Sequence, residues 1–154
     1  MKEIRQVIVP VDFEQHTDQL AEFAIGLANK LGAKVTFVHV VQEGEYYSDY
    51  DSSSFEEFEA RIQNNAEKKM AALREKNKTS CTGSTGVLLS GDTVDCIVAY
   101  ARDQEVDLII MATHGSKGIE KILLGSVTDR VLKRAHCPTL VFNPYRGERG
   151  GKSL

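Results

Sequence analysis

Strand and helix signals alternate along this chain, which predicts a doubly wound α/β fold: a mainly parallel five-stranded sheet with helices on both faces. Two observations carry that expectation. The strand candidates are short apolar runs rich in β-branched residues, the pattern of strands buried on both sides of a sheet. Between them, apolar residues recur at i, i+3 and i+4, which makes one apolar stripe of a helix laid on that sheet.

Val7-Ile8-Val9-Pro10-Val11 is the first strand run. Leu20, Phe23, Ala24, Leu27, Ala28 and Leu31 then form a helical stripe, and Gly32 follows it where a helix end favours positive φ. Val35 to Val41 is the second strand. Gln42 to Ser53 is polar and acidic, carries Tyr46, Tyr47 and Tyr50 beside Asp49 and Asp51, and reads as a surface loop. Ser54 and Glu57 have capping-box spacing at the head of a second helix, with Phe55, Phe58, Ile62, Ala66, Met70 and Leu73 as its apolar face. Its other face is charged and reads as solvated. After a polar connector, Asn77 to Thr85, a third strand lies around Gly86 to Leu89. Asp92 or Thr93 can cap a third helix with Val94, Ile97, Val98 and Ala101 inward. Asp107 to Met111 is the fourth strand, and a glycine-rich loop follows. Ile122, Leu123, Val127, Val131 and Leu132 give a fourth helical stripe. Cys137-Pro138 then breaks the chain before the last strand, Thr139 to Phe142. Residues 1–145 are expected to form one domain, and 146–154, Gly-rich and charged, a flexible tail.

Composition narrows the function. The chain has 154 residues, 42% apolar and 27% charged, which is ordinary for a globular protein with a real core. A net charge of -3 gives no reason to expect nucleic acid as a partner. No run approaches the roughly 20 apolar residues of a membrane span. Met1 to Arg5 lacks the basic-then-apolar build of a secretory signal, so a cytoplasmic location is expected. Cys81, Cys96 and Cys137 are odd in number and lack CxxC spacing, which suits a reducing compartment and bland thiols. His16, His39, His114 and His136 have no metal-ligand spacing.

In an open parallel sheet, ligands bind at the carboxyl ends of the strands, where the strand order reverses. Two segments put suggestive residues there. Pro10-Val11-Asp12-Phe13 ends the first strand, and Met111-Ala112-Thr113-His114-Gly115-Ser116-Lys117-Gly118 ends the fourth. Gly115 and Gly118 permit close backbone approach, and Lys117 adds a point charge. Gly125-Ser126 follows, and Ser126 and Thr128 can offer hydroxyl and N–H donors at a helix start, an arrangement that stabilises phosphate oxygens. The bland alternative is that the glycines only permit a tight turn. His114 is the histidine in this loop, and a backbone-bonding filler is its plainer reading. No P-loop and no GxGxxG fingerprint is present. A Ser126, His114, Asp12 triad lacks any nucleophile-elbow sequence.

Ala112-x2-Gly115-x9-Gly125-Ser126 resembles the nucleotide-binding signature of universal stress proteins, Gly-x2-Gly-x9-Gly-Ser/Thr. Met111 to Gly115, Ile122 to Thr128, Val9 to Asp12, His39-Val40 and Cys137-Pro138 are similar to that family's landmarks and stand in its order, so the likeness runs from Val7 to Phe142. The resemblance implies a Rossmann-like fold and a stress-response regulatory protein that binds an adenine nucleotide, ATP or AMP. It places Asp12 at the adenosine end with Pro10 and Val11 shaping the cleft, and the Val40 backbone on the adenine edge. Ala112 and Gly115 would lie along the ribose and phosphates, and Gly125, Ser126, Val127 and Thr128 would hold the phosphate tail. Ala112 departs from the pattern, because the first signature position is a glycine; the extra methyl is tolerated where φ stays negative. The family also implies a homodimer through Thr139, Leu140, Val141 and Phe142, with an unidentified regulatory protein as a compatible partner and neither nucleic acid nor membrane expected. Mg2+ or Mn2+ would bind through the phosphates, since the loop offers few carboxylates. Two other readings stand beside this one: a slow ATPase or autophosphorylating enzyme, and a nucleotide-free, chaperone-like dimer. The first lacks an arginine finger, a positioned base and a metal carboxylate pair. The serine- and glycine-rich loop of the related nucleotide hydrolases is absent, since Asp12-Phe13-Glu14-Gln15 stands in its place.

Overall fold

Alternate residues of each central strand carry the apolar side chains of two separate cores, and that requires helices on both sides. A computed structural model of the chain describes residues 1–42, 52–80, 83–113 and 124–144. Its elements run β1 (Gln6–Pro10), α1 (Thr17–Leu31), β2 (Lys34–Val41), α2 (Ser52–Asn77), β3 (Thr85–Ser90), α3 (Thr93–Asp103), β4 (Leu108–Ala112), α4 (Ser126–Arg134) and β5 (Thr139–Phe142). The sheet order is β3-β2-β1-β4-β5, and all four pairings are parallel.

Val7, Val9, Val35, Phe37, Leu108 and Ile110 face one side of the sheet, where Leu20, Ala24 and Ala28 of α1 and Met70 and Leu73 of α2 cover them. Ile8, Val38, Val40, Ile109 and Met111 face the other side, under Val94, Ile97 and Ala101 of α3 and Val131 of α4. β1, β2 and β4 are therefore apolar on both faces, which explains their unbroken apolar runs in the sequence.

Local chemistry fixes the element ends. Gly32 closes α1 at φ 67, and Asp92 caps α3, its carboxylate accepting from the Asp95 N–H at 2.9 Å. Asp107 ties the far end of the sheet together. Its Oδ2 accepts the N–H groups of Arg5 and Gln6, each at 3.0 Å, and Lys2 Nζ lies 2.9 Å from Oδ1. The Lys2 ammonium first, and then the two N–H groups, lower the carboxyl to about 2.

One boundary differs from the sequence expectation. α2 begins at Ser52, so Ser54 lies inside the helix and the capping box is not its start; an i, i+3 Ser–Glu pair fits a helix interior equally well. α4 begins at Ser126, where the sequence places a helix start. Gly125 is held in an extended conformation (φ -57, ψ 152) because its N–H is taken by the Thr113 carbonyl at 2.9 Å. Ile122 and Leu123 lie outside the described residues, as do the Tyr46 to Asp51 loop, Cys81 and the tail 146–154. Among the described residues, no helix is long and apolar enough to cross a membrane.

Candidate functional site

The strand order reverses at β1: the chain winds outward through β2 and β3, then returns to lay β4 on the other side of β1. Loops leaving the carboxyl ends of β1 and β4 therefore part to opposite faces, and a crevice opens between them. It has a volume of about 740 Å³, within the range of roughly 300–1,000 Å³ usual for small-molecule sites.

Every described residue that the sequence assigned to the site lines this crevice: Pro10, Val11 and Asp12 after β1, Val40 on β2, Met111 and Ala112 on β4, and Gly125 to Thr128 at the head of α4. His114, Gly115, Lys117 and Gly118 lie outside the described residues. One wall is built from Thr113 outward. Its N–H donates to the Phe142 carbonyl at 2.9 Å on β5, and its carbonyl accepts from Gly125 N–H. The Thr128 hydroxyl donates to the Ala112 carbonyl at 2.9 Å and locks the first turn of α4 onto the end of β4. Gly125 offers no side-chain cap, and the first-turn N–H groups, which lack an intrahelical acceptor in any α-helix, lie at the positive end of the helix dipole, where Ser126, Val127 and Thr128 line the crevice. Ala112 is not among the residues with positive φ, so its methyl is accommodated without backbone strain.

The opposite wall is the turn after β1. Val11 N–H donates to the Val38 carbonyl at 2.8 Å, and His39 Nδ1 stands 2.7 Å from the Val11 carbonyl. Asp12 Oδ1 accepts the Glu14 N–H at 2.9 Å and, at 3.4 Å, the hydroxyl of buried Thr17. Phe13 between them has φ 59, a left-handed conformation that is an outlier for a bulky residue and costs on the order of 1–3 kcal/mol. Its ring rests on His39 with centroids 4.5 Å apart. Asp12 and Glu14 are the carboxylates of the described lining, whereas Val38, Ile97, Val40 and Met111 make an apolar floor.

Sequence reasoning gave no site role to several lining residues, among them His39, Thr17, Gln42 and Thr93. His39 entered the sequence reading as a landmark of the resemblance without a role of its own, and its place directly before Val40 at the carboxyl end of β2 was the available signal. Gln42 and Thr93 meet across the crevice mouth, Nε2 to Oγ1 at 3.2 Å, a contact between distant segments that spacing does not reveal. Cys137 stands apart from the site, half-buried, and burial pushes its thiol up, as a bland cysteine requires.

Fold and crevice together define a doubly wound α/β protein with a ligand-sized site at its topological switch point. The chain belongs to the universal stress protein family, whose model matches residues 3–143. A universal stress protein of Methanocaldococcus jannaschii is 29% identical over 144 residues, covering 94% of this chain and 85% of that protein. Among solved structures, UspA of Lactobacillus plantarum has a TM-score of 0.76 at 20% identity, covering 92% of this chain and 99% of that one. A universal stress protein in complex with cAMP has a TM-score of 0.69 at 19% identity over 93% of this chain and 99% of its own. A family protein of Arabidopsis thaliana with AMP bound has a TM-score of 0.64 at 17% identity over 90% and 91%.

Proposed function

We propose that this chain binds an adenine nucleotide, AMP or ATP, in the crevice at the β1/β4 switch point and acts as a homodimeric regulatory protein of the stress response. The observation that carries this is the convergence of Pro10 to Asp12, Met111, Ala112 and Gly125 to Thr128 on one cavity that has apolar side chains and the first turn of α4 in its lining. A flat base suits the floor of Val38, Val40, Ile97 and Met111, with the Val40 backbone on the adenine edge. Asp12 suits the adenosine end as an acceptor for ribose hydroxyls, and Ala112 would border the ribose and phosphates. The N–H groups and hydroxyls of Ser126, Val127 and Thr128 suit phosphate oxygens. The fold neighbours with AMP and cAMP agree with this choice of ligand class. Any Mg2+ or Mn2+ would ride on the phosphates.

Calorimetry with AMP and ATP tests the reading, and a saturable heat with either is expected. No heat and no thermal shift at millimolar ATP would overturn it. The dimer reading draws on β5: among the described residues it pairs with β4 alone, and its outer edge suits a second copy. Light scattering at micromolar protein is expected to give twice the chain mass; a monomer removes that part alone.

A further inference from the structure

We infer that His39 is a positioning residue of the ligand crevice, holding the Val11-Asp12-Phe13 turn in the shape that presents Asp12. This rests on the nucleotide reading for its ligand, but the geometry behind it stands without one. A carbonyl oxygen only accepts, so the 2.7 Å contact to Val11 requires a proton on His39 Nδ1. The tautomer is thereby fixed, and Nε2 is the nitrogen that carries the lone pair in the neutral ring.

The turn needs such a holder. Val11 is gripped by two successive residues of β2, its N–H by the Val38 carbonyl and its carbonyl by the His39 ring. Two positions later, Phe13 sits at φ 59 with its ring against the same imidazole, at 4.5 Å and 41°. A bulky residue stays in that region only where its surroundings over-determine it. One side chain thus grips the turn on both sides of Asp12, which lines the crevice and is exposed to it. Without His39 the Val11 carbonyl loses its partner, Phe13 loses its ring contact, and the backbone at Asp12 is free to relax.

His39→Leu removes both contacts. His39→Asn keeps an N–H near the place of Nδ1, and His39→Gln carries its amide farther out, near the place of Nε2. AMP affinity by calorimetry is expected to fall about tenfold or more in His39→Leu, as loss of a part-buried hydrogen bond at the site would give. His39→Asn is expected to recover most of that loss and His39→Gln little of it, with urea midpoints recorded for all three. Leu binding as tightly as wild type overturns the proposal, and so do equal losses in Leu, Asn and Gln. Nitrogen-15 NMR supplies the independent arm. The neutral ring of His39 is expected in the Nδ1–H tautomer, and an Nε2–H tautomer overturns the proposal. A wild-type chain with no affinity for AMP or ATP would defeat the nucleotide reading, while the tautomer would still decide whether His39 holds the turn.

Discussion

Thr128 is buried at the first turn of α4, and its hydroxyl is committed to the Ala112 carbonyl at 2.9 Å. Thr128→Val keeps the shape and removes the donor, leaving that carbonyl short of a partner. Urea unfolding is expected to show a loss of about 1–3 kcal/mol, with Thr128→Ser nearer wild type. Asp107 gives a pH signature at the opposite end of the sheet. Its folded pKa of about 2 lies below the ordinary 3.8, so its contribution to stability is complete above that ordinary value. It is lost as pH falls through the window from about 4 to about 2. Asp107→Asn cannot ionise; it is expected to be less stable at neutral pH and to lose this part of the acid dependence, read from thermal midpoints between those pH values.

At the scale of elements, α2 is seated against β3 by a close contact at Gly86. A Cβ there would meet Met70 Cγ at 2.6 Å and Sδ at 2.7 Å, with Arg74 Cδ at 3.0 Å. Gly86→Ala therefore forces a buried methionine aside, and chemical denaturation is expected to register a loss of about 1–3 kcal/mol. Met70→Ala makes room, so the double variant is expected to lose less than the sum of the two single changes. The strands were the most legible elements, because burial on both faces writes itself as unbroken runs such as Leu108 to Met111. The helix start at Ser126 was legible from Gly125-Ser126, but not what fixes it: the hydrogen bond from Gly125 to Thr113, a contact between two segments. The site shows the same division. Asp12 and the Gly125 to Thr128 segment were readable from motif and strand position. The grip of His39 on Val11 was hidden because it joins the ends of two different strands, and no spacing encodes it.

At the scale of the whole molecule, the strand order puts the ligand crevice and the outer edge of β5 in one hydrogen-bonded frame. Thr113 donates to Phe142 on β5 and accepts from Gly125 at the head of α4. The carboxyl ends of the central strands meet at one rim, so the fold brings residues far apart in sequence to a single site.

The central place of β1 also bears on how the chain folds. Its first partner, β2, is nearby in sequence, but its second is not: the hydrogen bonds that join Arg5 and Gln6 to Asp107 span 102 and 101 positions. Closing contacts at that separation is slow, and until β4 arrives one side of β1 is an open edge of apolar strand. A nascent chain would carry that edge through most of its synthesis, when pairing with another molecule competes with waiting for its own β4. A fragment ending at Asp107 is expected to give no cooperative urea transition and to self-associate in light scattering, whereas the full chain unfolds in one sigmoidal step. The first strand made is thus among the last to be sheltered.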